Sequence, residues 1–272
     1  TINSCENEGT IMIRSLYTGT TGMEAQQLNI DIIANNLANV STTGFKKSQA
    51  DFQDLLYQAL KVPGSPTSAD TESPTGILIG LGVKPAAVTK VFTQGDIILT
   101  ENELDVAIEG NGFFQVDTPN GDTAYTRAGA FKLDSNGRLT NSDGYPISPG
   151  ITIPDGAQQV TIGESGIVSA ILGDDSTSTE LGTIELAIFT NNEGLFAIGK
   201  NLFEETSSSG TAQTGTPGDN GYGLLLQNYL EGSNVNIVQE LAAMITTQRA
   251  YEINSKTIQT SDEMMQTTNN LI

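Results

Sequence analysis

Glu101, Glu103 and Asp105 alternate along "TENELDV". Residues two apart on a strand share a face, so these three could present a carboxylate pair of the kind that cleaves glycosidic bonds. Acidic runs more often mark a solvated face. The rest of the chemical inventory is sparse. The chain has no histidine and one cysteine, Cys5, which excludes Ser-His-Asp and Cys-His nucleophiles, the usual zinc ligand sets and a disulfide within the chain. No Ser is followed three residues later by Lys, and no Gly-Lys-Ser/Thr phosphate loop occurs. The glycines of "GILIGLG" have the wrong spacing for a dinucleotide fingerprint. Asp134, Asn136 and Gly137 in "DSNGRL" match part of a calcium loop, but Lys132 stands where an acidic ligand belongs and no Glu closes it, so a turn is expected. The expectation is a protein with no enzymatic activity, no cofactor and no structural metal.

Composition narrows the partners. Of 272 residues, 37% are hydrophobic, enough for one large or two modest domains with a real core. Twelve Lys and Arg face 32 Asp and Glu, a net charge of -20 that would repel phosphate backbones and anionic lipid surfaces. Nucleic acid is not expected as a partner. No run of about 18 apolar residues and no basic region followed by an apolar one is present, so neither membrane insertion nor a cleavable signal peptide is expected.

The elements divide the chain into parts. Residues 1–11, "TINSCENEGTI", lack a helical pattern ahead of Met12 and are expected to be a disordered extension. Over 12–45, Leu16, Met23, Ile30 and Leu37 recur every seven residues, with Gly19, Gln26, Ile33 and Val40 three behind, which predicts a helix with a narrow seam for a partner. Over 223–272, Ile237, Met244, Tyr251, Ile258, Met265 and Ile272 recur in the same way, supported by Leu241. Residues 46–87 carry Pro63, Pro66 and Pro74 among small polar residues and predict an extended connection. Residues 88–222 read as an antiparallel β meander, with turns at Asn120-Gly121, Asn136-Gly137 and Asp143-Gly144 and a Gly/Ser/Thr loop at 205–221. The fold class expected is therefore α+β. One discontinuous helical domain of coiled-coil type would come from both termini, and a mainly antiparallel β domain would fill the middle.

Charge follows the same division. Residues 61–228 hold seven basic and 21 acidic residues, -14 of the total, while both ends are nearly neutral. This suggests ends buried against neighbours and a middle facing water. Periodicity alone favours the two helices pairing within an ordinary domain over an intermolecular tube. Asn35, Asn36 and Asn39 read equally as exposed amides near a helix end that Gly44 terminates.

"ANNLANVSTTGFKK" (34–47) resembles the N-terminal signature of the bacterial flagellar rod and hook proteins, and "NYLEGSNVNIVQELAAMITTQRAYEINSKTIQTSDEMMQ" (228–266) resembles their C-terminal helix. The second stretch, with residues 57–95 and 105–139, is most similar to the distal-rod members. The resemblance covers 12–272. It implies that the terminal helices form the inner tube of a helical homopolymer, which reverses the preference drawn from periodicity. Leu16, Met23, Ile30, Asn35, Asn36, Leu37, Asn39, Phe45, Ile237, Leu241, Met244, Tyr251, Ile258 and Met265 become the expected polymer interface. Amides suit a crowded junction, where an unpaired charge costs several kcal/mol. Pro63, Pro66, Pro74, Ile77 and Leu78 become a stiffening segment. The implied function is a rigid distal rod that transmits torque from motor to hook. Implied partners are copies of the chain, proximal-rod proteins, the hook protein, the rod cap and the basal-body rings. Implied location is the periplasm-spanning basal body, reached by flagellar type III export. Other rod or hook subunits, a secreted β-rich adhesin and a cell-wall hydrolase acting through Glu101 to Glu109 are the competing readings.

Overall fold

The computed structural model describes residues 2–63, 66–68, 71–72, 75–172, 178–219 and 221–270. The chain forms two compact units. Thr1–Leu37, Ser48–Thr89 and Ile237–Ile272 make a helix-and-ribbon unit, and Ala38–Lys47 with Lys90–Asn236 make a β unit.

Two long helices, α1 (Ile2–Ala38) and α2 (Ile237–Asn270), contain no proline. Both are rich in threonine, whose hydroxyls bond back to carbonyls three or four residues earlier, as at Thr18, Thr20, Thr247 and Thr257. α1 already runs from Ile2, so the first residues, expected as a disordered extension, continue the helix. Extending a helix is easier than nucleating one, and a long downstream helix can carry a weak leading segment.

The segment expected as an extended connection is a paired ribbon. Strand Ser48–Asp54 lies beside Val83–Lys90, and Tyr57–Lys61 runs antiparallel to Ile77–Gly80 with Tyr57 opposite Gly80 and Lys61 opposite Ile77. A further short pair joins Pro66–Ser68 to Thr71–Glu72. Pro74 lies outside the described residues.

In the β unit a six-stranded sheet has the spatial order Phe196–Gly199, Leu202–Glu204, Thr123–Thr126, Phe113–Asp117, Leu186–Ile188 and Gln213–Gly215. Its registered pairs are antiparallel. Strands near 120 therefore neighbour strands near 190 and 203, so the sheet is not the sequential meander the turns suggested. The 205–221 segment, expected as loop, supplies the edge strand Gln213–Gly215. The three predicted turns do form, each closed by a glycine N–H onto the carbonyl three residues earlier. The core gathers Val106, Ile108, Phe114, Phe131, Leu139, Ile147, Val168, Ile184, Leu186 and Leu225. Beside it Phe92, Phe113, Phe189, Phe203 and Tyr125 pack edge to face.

Glu101, Glu103 and Asp105 do not line one strand. Glu101 sits at φ 60, Glu103 accepts from the Val160 N–H, and buried Asp105 accepts from Asn102. Two of the three carboxylates thus serve as local hydrogen-bond acceptors.

Candidate assembly surface

α1 and α2 run antiparallel and meet through polar and small residues. Ser15 hydrogen-bonds Ser261 at 3.1 Å, Asn29 donates to Thr247 at 3.1 Å, and Asn36 donates to Glu240 at 3.4 Å. Between them Gly22 faces Asn254, where a Cβ would stand 2.8 Å from the Asn254 amide nitrogen. These partners form two heptad series, 15/22/29/36 against 261/254/247/240, in one constant register. One turn away, Gly19 leaves room for Ile258, whose Cγ1 would lie 2.9 Å from an added Cβ. Asn36 is 2% exposed, and its amide also accepts from the Ser48 N–H and donates to the Ser48 carbonyl.

The apolar heptads therefore occupy different places from a simple hydrophobic seam. On α1, Leu16, Met23, Ile30 and Leu37 are half-buried flanks, while Ala25 and Ile33 are buried. On α2, Met244, Ile258 and Met265 are half-buried, whereas Ile237 and Tyr251 are exposed. Leu241 is 42% exposed, Ile245 59% and Ile253 65%. With 3.6 residues per turn, Leu241 and Ile245 lie on the side of α2 opposite the 240/247/254/261 series. A helix that turns polar groups to its own partner and apolar groups outward has its apolar face available to other chains. Sequence reasoning missed the polar series, although its seven-residue recurrence was there to be read.

The other expected interface residues separate. Asn35 is exposed and Asn39 half-buried, where it accepts from the Thr42 hydroxyl. Phe45 is buried in the β unit with the Lys90 ammonium 4.7 Å from its ring centre, and burial lowers the pKa of that lysine. In the ribbon, Pro63, Ile77 and Leu78 are exposed, as are Leu56, Tyr57, Leu60 and Val62. Gly76 is required there, because a Cβ would meet the Lys61 carbonyl oxygen at 2.5 Å.

Within the β unit three charges share a dry site that composition did not reveal. Lys46 Nζ donates to Glu231 Oε1 at 2.6 Å, and Arg127 Nε lies 3.2 Å from Oε2. Among the described residues Oε2 accepts no hydrogen bond. Burial lowers the Lys46 pKa, opposed by the charge and hydrogen bond of Glu231; Arg127 is likewise lowered by burial and supported by Glu231. The guanidinium also donates to the Gly112 and Gly110 carbonyls.

Three family descriptions match the chain: "Flagella basal body rod protein" at 16–46, "Flagellar hook protein FlgE/F/G D1 domain" at 107–170, and "Flagellar basal body rod FlgEFG protein C-terminal" at 226–271. The flagellar basal-body rod protein FlgG of Buchnera aphidicola subsp. Schizaphis graminum is 50% identical over 94% of this chain and 98% of its own length. The chain belongs to the FlgG family of flagellar basal-body rod proteins. The family member from Caulobacter vibrioides is 48% identical over 95% of this chain and 99% of its own. By contrast, the flagellar hook protein FlgE of Helicobacter mustelae is 42% identical over 50% of this chain and 30% of its own length. Membership makes the chain a structural subunit of the flagellar rod.

Proposed function

We propose that this subunit builds the distal rod as a rigid helical tube, held by α1 and α2 in coiled-coil contacts with neighbouring copies, and passes torque from motor to hook. The observation that carries this reading is the outward apolar face of α2 at Leu241, Ile245 and Ile253, on a helix that meets α1 through hydrogen-bonding and small residues with Ile258 against Gly19. Repetition of one contact around a helix gives a closed, continuous shaft. The ribbon, with Pro63, Pro66, Ile77 and Leu78, stiffens the tube by bridging neighbours. Proximal-rod proteins, the hook protein, the rod cap and the surrounding rings are the remaining partners, met in the periplasm after export. A weakly self-supporting helix pair suits a chain that is exported unfolded and ordered on assembly.

Immunogold labelling of isolated basal bodies with an antibody to residues 88–222 tests the placement. Gold along the rod below the hook is expected. Gold confined to the hook would contradict it.

A further inference from the structure

The β unit is joined to the rest of the chain at Leu37–Ala38, Lys47–Ser48, Thr89–Lys90 and Asn236–Ile237. Three of these four exits converge on two side chains of the unit. Asn234 takes the first set of contacts. Its Oδ1 accepts from the Lys47 N–H at 2.8 Å, and its Nδ2 donates to the Val91 carbonyl at 2.8 Å and to the Thr93 carbonyl at 3.1 Å. Its backbone N–H reaches the Phe45 carbonyl at 3.4 Å, and the Val91 N–H bonds the Lys47 carbonyl directly. Glu231 takes the second set. Besides Lys46 and Arg127, its Oε1 accepts from the Gly95 N–H at 3.0 Å, and its backbone carbonyl accepts from the Gly44 N–H at 2.8 Å. Lys46 Nζ then donates onward to the Thr93 carbonyl at 2.7 Å.

Segments 43–47, 91–95 and 231–234 are far apart in sequence and carry few core side chains of their own. What joins them is one network of amides and buried charges. Such a network holds its members at a fixed mutual distance, and removing the carboxylate would leave two buried cations facing each other.

We infer that Asn234 and Glu231 form a mechanical clamp, gathering three exits of the β unit so that a pull on any one is shared by the others. The role rests on the reading of the chain as a torque-transmitting subunit: a load arriving at one exit is spread over three segments and into the sheet through Arg127, instead of peeling a single segment from its end. Both residues are positioning residues for force, and neither lies on the outward apolar face of α2.

Hydrogen exchange on the full-length monomer tests the clamp without reference to rotation. In Asn234→Ala, amides of 44–47, 91–95 and 228–235 should all exchange about tenfold faster or more, while those of 113–117 and 123–126 keep their parental rates. Loss of protection only beside residue 234 would overturn the clamp. Glu231→Gln should loosen the same three segments; if it prevents the unit from folding, Asn234→Ala still decides, because that residue lies outside the ion cluster. In cells, Asn234→Ala subunits should enter rods yet fail to drive rotation in viscous medium. Parental speed there would overturn the mechanical role, whereas absence of the parent chain from rods would defeat the rod placement itself.

Discussion

Asn36 and Glu240 meet in the helix pair while the same asparagine amide closes two hydrogen bonds on the backbone of Ser48. One side chain therefore ties α1 to α2 and to the first strand of the ribbon. Asn36→Leu keeps the volume similar but strips the Ser48 N–H and carbonyl of their partner. A buried unsatisfied group costs about 1–3 kcal/mol. Helix-detected thermal unfolding should shift down by several degrees, and the Ser48 amide should lose its exchange protection. An unchanged Ser48 rate would show that the amide is dispensable.

The polar series between α1 and α2 limits what the pair gains alone. Neutral hydrogen bonds contribute about 0.5–1.5 kcal/mol each, and apolar area is left outside. In a dilute monomer, amides of 16–36 and 240–265 should exchange much faster than those of 106–126. Equal strong protection of both regions would contradict the picture of helices that need neighbours.

Gly44 sits at φ +68 with its N–H on the Glu231 carbonyl, and an added Cβ would stand 2.6 Å from the Ala128 nitrogen. The left-handed conformation alone costs an alanine about 1–2 kcal/mol, and a backbone neighbour cannot swing aside. Gly44→Ala should lower the unfolding midpoint of the β unit accordingly. A midpoint within error of the parent would refute the required close approach.

The sequence carried the helices, the three glycine turns and the family signature plainly, because each is written in local spacing; Gly44, read as the helix terminator, instead lies beyond the helix end at Ala38 and gives its N–H to the Glu231 carbonyl. It did not reveal the ribbon, since pairing Tyr57 with Gly80 is a matter of register between distant residues. The heptads of α2 were visible, but Ile237 and Tyr251 lie exposed while Glu240 and Thr247 are buried. Hydrophobic spacing shows that a helix has a seam; it does not tell a partner in the same chain from one in another. The Lys46, Arg127 and Glu231 cluster was illegible for a similar reason, as its members are scattered over 185 positions.

Stiffness is open to a direct alteration. Replacing Pro63–Gly76 with Asn-Gly retains the Tyr57–Lys61 and Ile77–Gly80 strands and closes them with a short turn. Bending a tube requires subunits to slide past one another, and contacts across that direction resist it. The variant should assemble into curved or flexible polymers. Rods as straight as the parent's in electron micrographs would remove the ribbon from the account of rigidity.

Assembly through the outward face of α2 is the central claim, and Ile245 is its most direct probe, being 59% exposed. Ile245→Asp at such a site should change monomer stability by no more than about 0.5 kcal/mol. A carboxylate buried without a partner between subunits would cost several kcal/mol and recur at every contact. Electron microscopy of the concentrated, purified protein should show straight tubular filaments for the parent and none for Ile245→Asp, with the β unit of the variant still folded by near-ultraviolet circular dichroism. A parent that stays monomeric, or a variant that polymerises as the parent does, would contradict the account.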